Sequence, residues 1–260
     1  MTSPTQPSQR LAGRVAVVSG STRGIGRTIA ELFASEGAKV AVTGRTADRG
    51  EKVVQGIRDR GGEAEYFSLD ITDENNVRDV IEATVARFGS LTTLINNAAP
   101  TALVASSFKP LNEYSTEEWN AILTGTLTGN VFWASKYAWP HLQAAPAATI
   151  VNISSGAATM GQTGLGAYAA AKGGMNSVTR TLAVEGQPHD IRCNAIIVGR
   201  IVAGRSDSGA GMIKNAAAIG NPMQIATTAL FLSTAESSFI NGELITADGG
   251  LSMNGDVHMQ

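Results

Sequence analysis

The sequence predicts an α/β protein built on one doubly wound, parallel, seven-stranded sheet with helices on both faces. Short apolar runs alternate along the chain with stretches of helical periodicity, as in repeated strand–helix–strand units. The 260 residues are 43% hydrophobic, which is enough to cover both faces of such a sheet. Because no linker or internal repeat divides the chain, we expect residues 11–260 to form a single domain.

The first predicted strand is an apolar run that is too short for a helix and is bounded by Gly20, which fits an inner parallel strand. The strands are predicted at Val15–Ser19, Lys39–Thr43, Glu65–Leu69, Leu91–Ile95, Ala148–Ile153, Ile191–Ile197 and Glu243–Thr246. The helices are predicted near Gly26–Glu36, Asp48–Arg60, Asp73–Arg87, Thr116–Trp139, Leu165–Val184 and Pro222–Ser233. Ligands of such sheets bind outside the carboxyl ends of the strands.

Composition narrows the class of protein. The net charge of −2 gives no reason to expect nucleic acid or an anionic membrane surface as partner. The single cysteine, Cys193, cannot form an internal disulfide and is predicted to be a small core residue. Residues 1–10 lack an apolar segment and are predicted to be a disordered tail rather than a signal peptide. No apolar run approaches the ~20 residues of a transmembrane helix, so we expect a cytoplasmic protein.

A glycine-rich turn follows the first strand. Gly20, Gly24 and Gly26 have the spacing G-x-x-x-G-x-G and lead into a helical stretch. Glycines let the backbone turn sharply and approach a pyrophosphate, and the helix N-terminus offers free N–H groups and a positive dipole end. The segment predicts a nucleotide-binding turn, with a tight turn that binds no ligand as the alternative.

A second motif carries acid–base chemistry. Tyr168 and Lys172 are four residues apart, so they lie on one face of a predicted helix. A cation near the phenol favours phenolate and lowers the tyrosine pKa, which makes Tyr168 a plausible general acid–base. Ser155, thirteen positions upstream, can hydrogen-bond a carbonyl or alcohol oxygen. The alternative is a surface helix with an incidental tyrosine and lysine.

Together these motifs resemble the classical short-chain dehydrogenase/reductase family, including its 3-oxoacyl-[acyl-carrier-protein] reductase-like members. The resemblance extends from about Leu11 to about Met253 and rests on an ordered set of motifs: the glycine turn, Asn96-Asn97-Ala98-Ala99, Ser155, Tyr168 with Lys172, and the stretch Ile240–Gly250. It implies a Rossmann-type fold. It also implies a small-molecule carbonyl or alcohol substrate and a homotetramer.

The activity implied by the resemblance is hydride transfer between the nicotinamide of NAD(P)(H) and a ketone or secondary alcohol. Tyr168 would exchange the oxygen-bound proton, and Ser155 would hold the substrate oxygen. Lys172 would lower the tyrosine pKa and bind the nicotinamide ribose. Ser154 is the alternative serine, although the spacing to Tyr168 favours Ser155. Two other functions stay open: a 3-oxoacyl thioester reductase, and a dinucleotide-binding protein with little turnover.

Charge after the second strand bears on the cofactor. NAD-specific folds place an acidic residue there for the ribose 2′-hydroxyl, whereas a 2′-phosphate needs positive charge. This chain has Gly44 in that slot, with Arg45 beside it and Arg23 in the glycine turn. Two guanidiniums suit a phosphate, so we predict NADP(H) over NAD(H), with solvated arginines as the alternative.

The resemblance implies further cofactor contacts. Asp70 matches a position at the adenine but could equally cap the following turn, and Asn97 matches one near the adenosine ribose. The complete predicted set is Gly20, Thr22, Arg23, Gly24, Ile25, Gly26, Arg45, Asp70, Ile71, Asn97, Tyr168, Lys172, Gly199 and Ile201.

Some positions depart from the family pattern. Thr126 stands seven residues after Trp119, where most members carry an asparagine that anchors a proton-relay water. Thr126 is therefore predicted as a catalytic residue with fewer donors, and Asn130 could substitute for it. Val198 replaces a usual proline and Ala203 a usual threonine, which predicts weaker nicotinamide positioning.

Substrate identity is less defined. Residues 200–221 correspond to a substrate lid, with a plain surface loop as the alternative. Candidate residues for an apolar pocket are Met160, Met212, Ile213, Phe108 and Leu111. Because histidine, cysteine and carboxylates show no metal-ligand spacing, no metal site is predicted.

Overall fold

The computed structural model describes residues 9–202 and 219–253. Its strands are β1 (Val15–Val18), β2 (Lys39–Gly44), β3 (Glu63–Ser68), β4 (Thr93–Asn96), β5 (Ala148–Ser155), β6 (Ile191–Val198), β7 (Arg200–Ile201), β8 (Ile219–Gly220) and β9 (Leu244–Ala247). Its α-helices are α1 (Gly24–Ser35), α2 (Ala47–Asp59), α3 (Glu74–Phe88), α4 (Thr101–Ser106), α5 (Thr116–Leu123), α6 (Ala134–Gln143), α7 (Gly166–Gly186) and α8 (Pro222–Leu232).

Seven strands form one parallel sheet in the order β3-β2-β1-β4-β5-β6-β9, as predicted. The chain winds outward from β1 through β2 to β3 and then crosses back to β4 on the other side of β1. Val17 of β1 accordingly lies between Ala41 of β2 and Leu94 of β4. This reversal creates a crevice at the carboxyl ends of β1 and β4, where Rossmann-type sheets bind their ligands.

Each face of the sheet is covered by helices. Successive side chains of a strand point to opposite faces, so Ala16 and Val18 pack with α1, α2 and α8, whereas Val15 and Val17 pack with α3, α6 and α7. Cys193 of β6 lies fully buried in the second layer, which confirms its prediction as a core residue. The parallel sheet with helices on both faces is therefore confirmed.

The predicted helix Thr116–Trp139 is not a regular α-helix. A ten-residue π-helical segment, Thr124–Trp133, joins α5 to α6, and the N–H of Ala134 donates to the carbonyl of Gly129 five residues earlier. Two glycines let this segment lie against neighbouring loops. A Cβ at Gly125 would come 3.1 Å from the Pro100 ring, and a Cβ at Gly129 would overlap the carbonyl oxygen of Ile71.

Several other features differ from the sequence-based prediction. Helix α4 and the β7–β8 pair were not predicted. At the end of the predicted tail, Arg10 forms an ion pair with Glu36 at 2.7 Å. Residues 1–8 of that tail, residues 203–218 of the predicted lid and residues 254–260 lie outside the described residues, as do Ala203, Met212 and Ile213. Within the described residues, none of the helices is long and apolar enough to cross a membrane.

Candidate active site

A cavity of about 930 Å³ lies at the carboxyl ends of β1 to β6. The structure brings all fourteen residues of the predicted cofactor set to its wall: Gly20, Thr22, Arg23, Gly24, Ile25, Gly26, Arg45, Asp70, Ile71, Asn97, Tyr168, Lys172, Gly199 and Ile201. Ser155 lines the same cavity. A nucleotide and a substrate oxygen would therefore share one cavity.

The glycine turn forms one wall. Gly20 and Gly24 have φ angles of +65° and +55°, a region that side chains disfavour. Gly26 lies so close to Asn97 and Gly20 that a Cβ there would collide with the Asn97 amide and lie 2.5 Å from the Gly20 carbonyl. Within the described residues, no side chain caps the N-terminus of α1, so its first N–H groups stay available to an anion. This cradle fits a pyrophosphate.

Ser19 and Asn97 hold the glycine turn to the loop after β4. The Asn97 side-chain amide donates to the carbonyls of Ser19 (2.8 Å) and Gly20 (3.2 Å). The Ser19 hydroxyl accepts from the backbone N–H groups of Asn97 (2.8 Å) and Ala98 (3.0 Å). Asn97 thus holds the glycine turn in place through these hydrogen bonds. Its contact with an adenosine ribose stays a prediction.

The carboxylate of Asp70 caps the turn after β3. Its Oδ1 accepts from the Thr72 hydroxyl (2.7 Å) and the Thr72 backbone N–H (2.9 Å), and these bonds lower the pKa of Asp70. The backbone N–H of Asp70 donates to Asn76 Oδ1 at 2.6 Å. The capping role is thus observed, and the adenine contact stays a prediction.

Positive charge surrounds the end of β2. A Cβ at Gly44 would lie 2.8 Å from Thr22 Cγ2, so an acidic side chain in that slot would press on Thr22. Arg45 and Arg49 are exposed and line the cavity. Arg49 was not predicted, although its place at the start of a predicted helix beside Arg45 was an available signal.

The Arg23 side chain contacts the loop after β4, so its predicted contact with the same phosphate as Arg45 stays a prediction. Its Nη2 donates to the hydroxyl of Thr101, the first residue of α4, at 2.7 Å. Thr101 also lines the cavity and was likewise not predicted. The side chain of Arg23 therefore extends from the glycine turn toward the loop after β4.

Ser155, Tyr168 and Lys172 form the predicted catalytic group. Ser155 ends β5, and Tyr168 and Lys172 lie one turn apart on α7, where Tyr168 hydrogen-bonds Ser155. Lys172 is 2% exposed, and its Nζ donates to the Ile153 carbonyl at 2.6 Å and lies 5.7 Å from the Tyr168 ring centroid. The Ser154 hydroxyl instead donates to Asn176 at 2.6 Å, a buried contact beside the site.

Burial dominates the proton affinities of this pair. It raises the pKa of Tyr168, although the hydrogen bond with Ser155 acts in the opposite direction. It lowers the pKa of Lys172 to about 7. The prediction that Tyr168 has a lowered pKa is therefore wrong for the structure as described, because desolvation disfavours the charged forms of both groups. Tyr168 keeps its proton at neutral pH, which suits a proton donor.

The lysine makes folding stability depend on pH. Its pKa falls from 10.5 to about 7 on folding, so the folded state binds fewer protons than the unfolded state between these values. The free energy of unfolding is expected to rise with pH across that window, whereas below about pH 7 the full penalty for burying the charge remains. Urea unfolding between about pH 7 and pH 9 measures this slope, and Lys172→Met should flatten it. Equal slopes in the two proteins would show that Lys172 is not the source of the pH dependence.

Thr126 lies outside the cavity wall. It is fully buried in the π-helical segment, and its hydroxyl has no hydrogen-bond partner among the described residues. Asn130 in the same segment accepts a hydrogen bond from the Ser19 hydroxyl at 2.6 Å. The catalytic role of Thr126, and its replacement by Asn130, stay predictions.

The apolar residues suggested for a substrate pocket pack against glycines. Cβ atoms at Gly164 and Gly166 would come within 2.8 Å of the Phe108 ring and 2.7 Å of Leu111, and both side chains are more than half exposed. Met160 lies in the same way against Gly156. Across residues 9–202 and 219–253, histidine, cysteine and carboxylate side chains form no group that could hold a metal ion.

Comparison with known proteins identifies the family. The short chain dehydrogenase family model matches residues 14–208. The cis-4-hydroxycyclohexanecarboxylate dehydrogenase of Sinomonas cyclohexanicum is 34% identical over 93% of this chain and 98% of its own. The NADP-dependent (R)-specific alcohol dehydrogenase of Lentilactobacillus kefiri is 34% identical over 94% of this chain and 98% of its own.

A solved structure agrees with these relatives. A candidate short-chain alcohol dehydrogenase from Sinorhizobium meliloti 1021 superposes with a TM-score of 0.85 at 30% identity, covering 95% of this chain and 100% of its own. The chain therefore belongs to the short-chain dehydrogenase family, and it is an NAD(P)-dependent oxidoreductase that acts on ketones or secondary alcohols.

Proposed function

We propose that this enzyme prefers NADP(H) and interconverts small secondary alcohols and their ketones. The observation that carries the proposal is the single cavity in which the arginines after β2, the uncapped helix α1 and the Ser155–Tyr168 pair occur together. The bound dinucleotide would supply or accept the hydride.

The residues of this chain account for the proton and for substrate orientation. In the direction of reduction, the Tyr168 hydroxyl gives its proton to the substrate oxygen as that oxygen gains negative charge. The Ser155 hydroxyl, hydrogen-bonded to Tyr168, holds the same oxygen. A proton from solvent would then return to Tyr168, and Lys172, whose Nζ lies 5.7 Å from the Tyr168 ring centroid, would be a neighbouring group that exchanges protons near neutral pH because its pKa is about 7.

Two features support the preference for NADP(H). An acidic residue for a 2′-hydroxyl is absent from the described end of β2, where Gly44 packs on Thr22. Arg45 and Arg49 instead place two guanidiniums at this end of the cavity, and guanidiniums bind phosphate with bidentate hydrogen bonds. One relative of this chain is an NADP-dependent alcohol dehydrogenase.

The substrate class is supported by the relatives and by the cavity. The relatives include a cis-4-hydroxycyclohexanecarboxylate dehydrogenase and an (R)-specific alcohol dehydrogenase. Beside Ser155 and Tyr168, the cavity wall carries the apolar side chains of Ile153, Val198 and Ile201. Such a surface suits a small apolar ketone with one polar oxygen.

The test is oxidation of NADPH, and separately of NADH, measured by absorbance with a panel of cyclic ketones, aryl ketones and an acetoacetyl thioester. Turnover of simple ketones with NADPH supports the proposal. Turnover confined to the thioester would establish a 3-oxoacyl reductase instead. Binding of both nucleotides without turnover of any panel member would favour a binding role.

Arg45→Ala tests the origin of the cofactor preference. Losing a charge-assisted contact to the 2′-phosphate is expected to raise the Kd for NADPH about tenfold or more while changing the Kd for NADH little. Fluorescence titration measures both constants. Arg78→Ala is the matched control, because Arg78 pairs with Asp79 on the surface of α3. Equal losses for both nucleotides would contradict recognition of the phosphate.

A further inference from the structure

The π-helical segment Thr124–Trp133 contacts three loops that line the dinucleotide cavity. Asn130 accepts from Ser19 at the end of β1, Gly129 lies against the Ile71 carbonyl after β3, and Gly125 lies against Pro100 after β4. Each loop contributes residues to the cavity wall. The segment is thus a common support for loops that come from three separate strands.

With the contact to Asn130, the Ser19 hydroxyl makes all the hydrogen bonds that it can. A serine hydroxyl has one proton and two lone pairs. Ser19 accepts from the backbone N–H groups of Asn97 and Ala98, and it gives its proton to Asn130 Oδ1 at 2.6 Å. Its other acceptor, the Ile95 carbonyl, is more distant at 3.2 Å. Asn130 therefore directs the Ser19 proton so that both lone pairs face the loop after β4.

The hydrogen bond between Ser19 and Asn130 also affects the glycine turn. The loop ordered by Ser19 carries Asn97, whose side-chain amide holds the carbonyls of Ser19 and Gly20. A change in the Ser19 hydroxyl would therefore shift Asn97 and Gly20 together, and both line the cavity. Asn130 is 1% exposed and does not line the cavity, so its influence on a nucleotide would pass through these residues.

The two polar atoms of the Asn130 side chain differ in their protein partners. Its Nδ2 is buried and has no hydrogen-bond partner within the described part of the chain. The side-chain oxygen, in contrast, accepts from the Ser19 hydroxyl at 2.6 Å. The polar residue is better explained by the acceptor that it offers to Ser19.

We infer that Asn130 is a positioning residue for dinucleotide binding, acting through the Ser19 hydroxyl on the glycine turn and on the loop after β4. The inference rests on the dinucleotide binding in the proposed function. It predicts that substitutions of Asn130 and Ser19 have non-additive effects on the Kd for the nucleotide.

The test compares Asn130→Ala, Ser19→Ala and the double variant by fluorescence titration with whichever nucleotide the wild type binds more tightly. Asn130→Ala is expected to raise Kd roughly five- to tenfold, the range of one buried hydrogen bond, and Ser19→Ala at least as much, because it also removes the acceptor of two backbone N–H groups. The double variant should be no weaker than the weaker single variant, because the three proteins lack the same contact. In turnover, the KM for the nucleotide should rise by more than kcat falls.

Asn130→Leu separates positioning from folding. Leucine keeps the branched outline of four side-chain heavy atoms and removes both the acceptor oxygen and the amide donor, so thermal stability without nucleotide should change little while Kd increases. Ser135→Ala is the control, since Ser135 is a buried residue of α6 whose hydroxyl is also unpaired among the described residues. This variant should bind nucleotide like the wild type.

Two outcomes overturn the inference. An unchanged Kd in Asn130→Leu would show that the Ser19 hydroxyl needs no acceptor there, and multiplicative losses in the double variant would show independent roles. Failure of the wild type to bind either nucleotide would instead refute the proposed function. The two failures are therefore distinguishable in the same titration.

Discussion

Tyr168→Phe is expected to lower kcat by about a hundred- to ten-thousandfold while nucleotide binding stays close to that of the wild type. The change removes one hydroxyl from a half-buried ring and so leaves packing intact. The lost group is the proton donor that hydrogen-bonds Ser155 inside the cavity. Steady-state kinetics with a ketone from the substrate panel, together with nucleotide titration, measure the two effects separately.

Tyr137→Phe is the matched control for the loss of a phenol. The Tyr137 hydroxyl donates to Glu74 at 2.8 Å on the outer face of the helices, away from the cavity. This variant should keep wild-type turnover. If Tyr168→Phe retained more than about a tenth of kcat, the proton would have to come from another group, since general acid catalysis typically contributes more than that.

Gly26→Ala is expected to weaken nucleotide binding by about a hundredfold and to lower the free energy of unfolding by ~1–3 kcal/mol. The new methyl would collide with the Asn97 side-chain amide and lie 2.5 Å from the Gly20 carbonyl, so the glycine turn and the loop after β4 would have to separate. Titration with nucleotide and urea unfolding measure the two losses.

Gly173→Ala supplies the control for a glycine-to-alanine change. Gly173 lies inside α7, and apart from its chain neighbours and the backbone of its own helix, no atom of the described residues lies within 4 Å of a Cβ placed there. Alanine favours a helix interior by up to about 1 kcal/mol, so this variant should be as stable as the wild type or more stable. A Gly26→Ala protein that bound nucleotide like Gly173→Ala would show that the turn adapts to the methyl.

Much of the fold and of the cavity could be predicted from the sequence because the determining signals are local. The apolar run after Arg14 and the glycine spacing from Gly20 to Gly26 define a strand, a turn and a helix start within about a dozen residues. In a parallel sheet, the carboxyl ends of the strands meet at one edge. Motifs far apart in sequence, such as Asp70 and Gly199, therefore line one cavity.

The features that escaped prediction depend on contacts between distant segments. The helical periodicity around Thr126 is compatible with an α-helix, and the contact of Gly129 with Ile71 appears only after folding. The spacing of Tyr168 and Lys172 shows that they are neighbours but not that Lys172 is fully buried and the Tyr168 hydroxyl desolvated. Burial reversed the expected direction of the tyrosine pKa.

The sole cysteine gives the protein a practical property. Cys193 is fully buried in β6, and burial raises the pKa of its thiol, so very little reactive thiolate exists at neutral pH. Native protein should therefore give almost no background with thiol-directed probes. A cysteine introduced at an exposed position such as Thr46, at the rim of the cavity, would carry a fluorophore at a single defined place. The enzyme can thus report nucleotide binding optically without first being made cysteine-free.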